Sequence, residues 1–392
     1  MSGASSEGVN RRQFLAAGAG AIATLAGCST HALPTRPTGS WFHRGNDARN
    51  TGASDAAVPA RATPAWTAGA ARTATPLADD GVVFSVADAA TALDARTGAI
   101  QWRTPLGGPV DYTPALTDDA LLVATADRLV SLSRASGEER WSKPLPRQPN
   151  AALTAADGVV TVPTADAGVL AYDGRNGSLR WHERMRGPTQ TALAGGVAYA
   201  SGYRRDGDSA VLRAVDAATG ERRWEVDLSH PDAPPVRSEA GLLVCDAGSL
   251  DVRDPADGAR QRTLGTFGDL LGAPPAVAEG DAYVTSSAGD VVALSVADGS
   301  IRWRADVGVM AGTGVTVGRE AALSSVQELP TAGGPGIVAF ERADGTPRWE
   351  HRLEGLDVAA GTSAVPLGGA VLVVTNVHVG VLALGDHRGN GG

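Results

Sequence analysis

The stretch Ala92-Leu93-Asp94-Ala95-Arg96-Thr97-Gly98-Ala99-Ile100-Gln101-Trp102 contains the pattern on which the chain is built. It reads as an apolar segment, an Asp, a small turn ending in Gly, and then a Trp. Gly favours the left-handed backbone that closes a tight hairpin, and Asp bonds its own backbone in such turns. The stretch therefore predicts two antiparallel strands joined by a turn at Gly98, with Trp102 on the second strand.

The pattern recurs along the chain at a nearly constant period. Its turn glycines are Gly98, Gly137, Gly177, Gly220, Gly258, Gly299 and Gly345. Successive glycines are separated by 39, 40, 43, 38, 41 and 46 residues. A period near forty made of β-type segments is typical of a β-propeller, in which each repeat forms one four-stranded blade (strands A to D, from inside to outside).

Most repeats carry a Trp after the turn. These residues are Trp102, Trp141, Trp181, Trp224, Trp303 and Trp349, with Trp66 in a similar strand near the start of the chain. A flat Trp on an outer strand packs well between neighbouring blades, and its removal typically costs about 3–5 kcal/mol. We therefore assign the tryptophans to blade docking and the glycines to turn closure. Arg262 occupies the remaining docking position, so we expect a weaker or different contact there.

The two ends of the repeat array complement each other. Eight apolar strand segments can be counted, the last of which, 370–373, is followed by 379–384 but by no outer strand. The segment 64–68 is of the outer-strand type and has no inner strands before it. Joining the two removes an open sheet edge. The sequence thus predicts an all-β, eight-bladed β-propeller of four-stranded antiparallel blades, closed by an N-terminal strand in the last blade; seven blades is the alternative count.

The repeated phrase Ala/Leu-x-Asp-x-x-Thr-Gly-x-x-x-Trp resembles the tryptophan-docking repeat of the pyrroloquinoline quinone (PQQ)-type β-propellers, over about residues 60–385. Enzymes of that superfamily hold PQQ and calcium in a central funnel, with carboxylate ligands and a disulfide of adjacent cysteines. The resemblance therefore implies a propeller and raises the question of quinone chemistry.

The residues that such chemistry needs are not evident in this sequence. Its two cysteines, Cys28 and Cys245, are far apart, and Glu239 is the only acid in the predicted inner strands. Calcium prefers several oxygen ligands, usually with more than one carboxylate. The seven histidines show no metal-binding spacing. We therefore expect no catalytic residue, no cofactor and no metal ion.

The N-terminus resembles a twin-arginine (Tat) export signal. Arg11 and Arg12 are followed by Phe14 and Leu15, and by a short, weakly apolar run. That run ends in Leu-Ala-Gly-Cys, which is similar to a lipobox and makes Cys28 the predicted site of lipidation. The predicted segments are a signal peptide with lipobox (1–28), a flexible tether and N-terminal segment (29–59), the PQQ-like propeller (60–385) and a disordered tail (386–392).

The net charge of −9 argues against nucleic-acid binding, which favours a basic surface. Loops on the face shared by the D–A and B–C connections carry aromatic and Arg residues, which commonly anchor interfaces. This candidate binding face comprises Tyr112, Arg186, Tyr203, Arg204, Arg205, His230, Phe267 and Met310. The alternative interpretation is that these are ordinary solvated loops.

Together these features predict a non-catalytic, lipid-anchored propeller outside the cytoplasm, at the outer face of the cytoplasmic membrane or the cell surface. We expect it to be a protein-binding or assembly scaffold of unidentified partner. It resembles accessory propeller lipoproteins such as that of the outer-membrane β-barrel assembly machinery. The alternatives are a PQQ-dependent dehydrogenase-like redox protein and a small-molecule sensor.

Overall fold

Antiparallel β-strands make up the regular secondary structure of the computed structural model, which describes residues 31–71, 73, 75–267, 273–286, 289–307, 310–353, 363–375 and 380–386. Within these residues there are 33 strands, arranged in eight sheets, and no helix. The prediction of an all-β, eight-bladed propeller is therefore confirmed.

Each sheet is one blade, and each blade is named by its order along the chain. Two strands precede the repeats, β1 (Ser40–Trp41) and β2 (Thr63–Ala68). Blade 1 contains β3 (Leu77–Asp79), β4 (Val82–Val86), β5 (Ala89–Asp94) and β6 (Ile100–Pro105), and blade 2 contains β7 (Ala115–Leu116), β8 (Ala120–Ala124), β9 (Arg128–Ser133) and β10 (Glu139–Pro144). Blade 3 contains β11 (Thr154–Ala156), β12 (Val159–Thr164), β13 (Gly168–Asp173) and β14 (Leu179–Glu183), and blade 4 contains β15 (Ala192–Ala194), β16 (Val197–Tyr203), β17 (Ala210–Asp216) and β18 (Arg222–Leu228). Blade 5 contains β19 (Val236–Ser238), β20 (Gly241–Asp246), β21 (Ser249–Arg253) and β22 (Arg260–Thr266), and blade 6 contains β23 (Ala276–Ala278), β24 (Asp281–Thr285), β25 (Asp290–Ser295) and β26 (Ile301–Asp306). Blade 7 contains β27 (Met310–Val317), β28 (Ala321–Val326), β29 (Gly336–Glu341) and β30 (Pro347–Arg352), and blade 8 contains β31 (Ala364–Leu367), β32 (Ala370–Thr375) and β33 (Gly380–Gly385).

The last blade is completed from the other end of the chain. Strand β2 pairs antiparallel with β33, with Trp66 opposite Ala383. Asp386, which follows β33, accepts hydrogen bonds from the backbone amides of Ala60 (2.9 Å) and Arg61 (2.7 Å). Asp386 therefore belongs to the ordered ring and not to a disordered tail.

The middle strands of each blade are buried on both faces because neighbouring blades cover them. In blade 1, β4 and β5 are almost continuously buried, whereas Ile100 on the outer strand β6 is exposed. This explains why the strand segments read as unbroken apolar runs instead of alternating ones.

The predicted docking positions form one repeated contact around the ring. Each side-chain N–H donates to a backbone carbonyl in or beside the C–D turn of the following blade, or to the segment that replaces that turn in blade 8. The pairs are Trp66–Ala95 (3.2 Å), Trp102–Arg134 (2.9 Å), Trp141–Gly174 (3.3 Å), Trp181–Ala217 (2.8 Å), Trp224–Pro255 (3.0 Å), Trp303–Arg342 (2.8 Å) and Trp349–Pro59 (2.9 Å).

The turn glycines leave room for these rings. Gly220 has a φ of +76°, and a Cβ there would lie 2.4 Å from the side chain of Trp181. The same relation holds between Gly98 and Trp66, at 2.8 Å. Both the positive φ and the close ring therefore require Gly at this position of the repeat.

Arg262 replaces Trp with a different contact. Its Nε and Nη2 atoms donate to the carbonyl of Val296 at 3.1 and 2.8 Å, so the hydrogen bond to the next blade is kept. Gly299, the turn glycine of that blade, lies against the backbone of Leu264 and not against an aromatic ring. The contact of blade 5 thus differs from the others, as the Arg in the repeat indicates.

Residues 31–59, predicted as a flexible tether and N-terminal segment, instead pack against the ring. Leu33 is 1% exposed and Trp41 is fully buried. Strand β1 adds a fifth strand to blade 1 by pairing with β3. The Ser, Thr and Pro-rich composition of residues 29–39 favours a tether, and such a composition does not reveal the two isolated apolar anchors.

Residues 42–58, which we call the plug, cross the centre of the ring. Backbone amides of the inner strands and A–B turns donate to plug carbonyls. These pairs are Leu116–Phe42 (2.8 Å), Leu193–Ala48 (2.7 Å), Arg237–Arg49 (2.9 Å), Val277–Thr51 (2.7 Å), Val317–Gly52 (2.9 Å), Arg319–Ala56 (2.9 Å) and Gly369–Ala57 (3.0 Å). The amide of Ala155 donates to Nε2 of His43 at 3.1 Å. The plug therefore contacts seven blades, from blade 2 to blade 8.

Candidate functional site

Three of the predicted binding-face residues meet where blades 3, 4 and 5 adjoin. Arg186 and Tyr203 form two backbone hydrogen bonds of 2.9 Å, which join the loop after blade 3 to the end of strand β16. The ring of Tyr203 stands edge-on to that of His230, with centroids 6.1 Å apart. Loops from three blades thus form one continuous surface.

Arg186 and His230, the two polar residues of this surface, are each positioned by a carboxylate. The Arg186 guanidinium contacts the carboxylate of Asp208 at 2.6 Å, on the hairpin of blade 4. His230 Nδ1 lies 2.8 Å from a carboxylate oxygen of Asp232. The tip of the blade 4 hairpin is thereby tied to the neighbouring loop.

Arg204, which was also predicted to lie on the binding face, pairs with acids of its own blade. Its guanidinium forms ion pairs with Glu225 (2.6 Å) and Asp227 (2.7 Å) on the outer strand of the same blade. Burial would raise the pKa of Glu225, but hydrogen bonds from Arg204 and Arg213 outweigh this and lower it. Arg204 therefore neutralises acids within its own blade and has less capacity for a partner.

Three other predicted residues lie apart from this surface. Tyr112 is half-buried and lines the central funnel. Phe267 packs against the apolar core between blades 5 and 6. Met310 begins the inner strand β27, so it belongs to a strand and not to a loop.

A basic cleft beside the surface was missed in part by the sequence analysis. Arg147, Arg184 and Arg205 line a cleft of about 410 Å³ together with His182 and Asp166. All three arginines are exposed, and none forms an ion pair with a residue described by the structure. His182 and Arg184 point outward because they alternate with buried residues at the end of β14. That alternation was the available signal in the sequence.

We call Arg147, Arg184, Arg186 and Arg205 the arginine rim. They come from the loop before blade 3, the end of its outer strand, the loop after it, and the hairpin of blade 4. Their proximity depends on the stacking of two blades, which no local motif encodes.

The central funnel opens on the same face as the arginine rim. It contains a cleft of about 400 Å³ lined by the plug residue Arg44 and by the loops that precede blades 2 to 5. Gln190 in this cleft donates to Oδ1 of the plug residue Asn50 at 2.9 Å. The plug separates this cleft from a second one, of about 730 Å³, that lies against Ala57, Arg319 and Gly368 near the A–B turns.

The acid and the cysteine considered for quinone chemistry in the sequence both have structural environments. Glu239 lies in the exposed turn after β19 and not in the inner strand. Cys245 is buried in β20, and burial raises the pKa of its thiol. Among the residues described, no three His, Cys, Asp or Glu side chains form a group suited to a metal ion.

The predicted export and lipidation residues, Arg11, Arg12, Phe14, Leu15 and Cys28, lie outside the described residues. In the described part of the chain, no helix has the length and hydropathy needed to cross a membrane.

Solved structures share this fold at low sequence identity. BamB from Moraxella catarrhalis superposes with a TM-score of 0.63 and 16% identity, over 81% of this chain and 95% of that one. The quinohemoprotein alcohol dehydrogenase from Comamonas testosteroni gives 0.68 and 14%, over 89% and 81%. The computationally designed Ika8 protein gives 0.62 and 14%, over 81% and 100%. These likenesses show the propeller fold alone.

Sequence comparison identifies the family more closely. No curated protein matches the chain in sequence. The family described as "Outer membrane protein assembly factor BamB" matches residues 57–131, 87–233, 127–264 and 207–390. Together these matches span the propeller, including every docking Trp and turn Gly of the repeats. The chain therefore belongs to the PQQ-like repeat family of β-propellers described as outer membrane protein assembly factor BamB.

Proposed function

We propose that this protein is a lipid-anchored scaffold outside the cytoplasm that binds an acidic surface of a protein partner through the arginine rim. The observation that carries the proposal is the group of three exposed arginines, Arg147, Arg184 and Arg205, around one cleft. On a chain of net charge −9, such a local excess of positive charge favours an acidic partner.

The surroundings of the rim suit a protein interface. Tyr203 and His230 add aromatic surface beside it, and Tyr and Arg are the residue types that most often anchor interfaces. The backbone bridge between Arg186 and Tyr203 holds two of its loops in fixed relation, so little ordering is needed on binding. The family name, an assembly factor, agrees with such a role.

Cross-linking followed by pull-down from native membranes tests the partner site. The double variant Arg184→Glu/Arg205→Glu should lose the cross-linked partner, because like charges would then face its acids. Arg103→Glu, an equally exposed change on blade 1, is the matched control and should retain it. Unchanged capture by the double variant would refute the proposal.

Membrane attachment is tested separately. We propose lipidation of Cys28 after export through the Tat route, supported by the Arg11-Arg12-x-Phe14-Leu15 and Leu-Ala-Gly-Cys sequences. Cys28→Ser should move the protein from the membrane to the soluble fraction. Membrane retention of this variant would rule out the lipid anchor.

Quinone chemistry is the competing function, because dehydrogenases share the fold. Purified protein incubated with PQQ and calcium should show no bound quinone spectrum and no dye reduction with alcohols or sugars. A quinone-bound spectrum together with dye reduction would replace the scaffold proposal with an enzymatic one.

A further inference from the structure

We propose that the central funnel binds a small hydroxylated anion, a carboxylate or a phosphate ester, through Arg44 of the plug. This site is distinct from the arginine rim and does not depend on the partner proposed there.

The backbone around Arg44 is held in place by hydrogen bonds on both sides. The amide of His43 donates to the carbonyl of Asn46 at 2.9 Å, and the amide of Gly52 donates to that of Gly45, also at 2.9 Å. Gly45 is itself required, since a Cβ there would lie 2.9 Å from Cα of Asn50. The plug therefore presents Arg44 to the funnel from a fixed position.

The charge of Arg44 has no partner in the described part of the chain. Its guanidinium forms no hydrogen bond or ion pair with any residue described, although burial lowers its pKa. The buried Arg213 shows the usual arrangement, with ion pairs to Glu183 (2.8 Å) and Glu225 (2.7 Å). Arg44 is half-buried, and a partly desolvated cation without a counter-charge is unfavourable, so an anion entering the cleft would be stabilised.

The acids that line the cleft do not supply the counter-charge of Arg44. Asp232 uses one carboxylate oxygen for Nδ1 of His230 (2.8 Å) and the other for the amide of Gly248 (2.7 Å). Asp111 is exposed and forms a contact of its own. Neither forms an ion pair with Arg44.

The other lining groups indicate what the anion carries. Oδ1 of Asn150 is buried and accepts no hydrogen bond from the residues described, while Nδ2 of the same side chain donates to the carbonyl of Pro188 at 3.1 Å. An unused acceptor and a cation that line one cleft fit a ligand with both a negative group and a hydroxyl donor. Thr113, Thr189 and Gln190 also line this cleft, whose volume of about 400 Å³ is that of a pocket for a small molecule.

Calorimetric titration of the purified full-length protein in detergent tests the site at constant ionic strength. The probes are inorganic phosphate, citrate and gluconate, with acetate as the comparison that lacks hydroxyl groups. We expect at least one probe to bind and to raise the unfolding temperature by mass action. Gluconate bound more tightly than acetate would identify the hydroxyl contribution, and Asn150→Ala should remove that preference. The absence of binding heat for all probes would overturn the proposal.

Two substitutions separate ligand binding from a structural role. Arg44→Gln should weaken binding by about tenfold or more, and without ligand it should be no less stable than the unmodified protein. Arg319→Gln, the same change on the opposite side of the plug, should bind normally. Equal binding by the Arg44→Gln and unmodified proteins would refute the assignment. Should Arg44→Gln not fold, Arg44→Lys keeps the charge and must show weakened binding, since Lys lacks the planar fork of Arg.

Discussion

The outer docking belt and the central plug hold the same ring together by opposite means. The belt repeats one contact eight times, with a Trp or Arg donor bonded to a carbonyl of the adjoining blade. The side chains of the plug make contacts that each occur once, such as those of Asn50 and His43. A repeated contact leaves a period in the sequence, whereas a single contact leaves none.

Removing one ring from the belt should have the largest effect. Trp181 is 8% exposed, and its ring packs on Gly220 while its N–H donates to Ala217. Trp181→Ala should lower the free energy of unfolding by about 3–5 kcal/mol, because a large cavity opens between two blades. Urea unfolding measures this. A loss below about 1 kcal/mol would show that neighbouring blades do not depend on the belt.

The plug should be nearly as important at its most buried residue. Asn50 donates to the carbonyls of Thr191 (3.1 Å) and Pro235 (3.0 Å) and accepts from Gln190. Asn50→Ala should cost about 3 kcal/mol, because three buried polar groups each lose a hydrogen bond and the carbonyl of Pro235 loses its side-chain donor. Asn176→Ala, in an exposed turn, is the control. Equal stability of the two variants would mean that the plug contributes little.

The plug should also make stability depend on pH. Burial, which outweighs the nearby Asp47 carboxylate, lowers the pKa of His43 to about 4. The unfolded chain then binds more protons between about pH 6.5 and pH 4, so stability falls as the pH falls through this window. From about pH 6.5 to pH 5 the loss should be about 2 kcal/mol.

Chemical unfolding at several pH values checks this, with His43→Gln as the reference. His351 contributes in the same direction, because burial lowers its pKa too. The difference in slope between the two proteins therefore isolates His43. Parallel slopes would show that this imidazole is not held neutral.

The smallest effect is expected at Arg262, the belt position that carries no Trp. Arg262→Ala removes the hydrogen bonds to Val296 but no aromatic ring, so it should cost about 1 kcal/mol. Comparison with Trp181→Ala by the same urea assay gives the contribution of the ring. If the two losses were equal, the hydrogen bond and not the packing would be the main part of the contact.

The difference between belt and plug also explains what could be predicted from sequence. The turn Gly and the docking Trp, first seen as Gly98 and Trp102, recur about every forty residues, and this period predicts the fold. Arg44 and Asn50 lie in a segment that carries no copy of the repeat. Their environment arises only when seven blades surround them. The arginine rim is an intermediate case, since Arg186 and Arg205 were predicted but Arg147 and Arg184 depend on how two blades stack.

The pairing of β2 with β33 has a consequence for the order of events in folding. Ala60 and Asp386, which bond each other at this junction, lie 326 residues apart. Contacts of such sequence separation form late, because a long loop must close before they can form. Strand β2 is synthesised before β33, so it stays unpaired until β33 has left the ribosome. Shielding that strand in the meantime becomes a requirement for the productive synthesis of this ring.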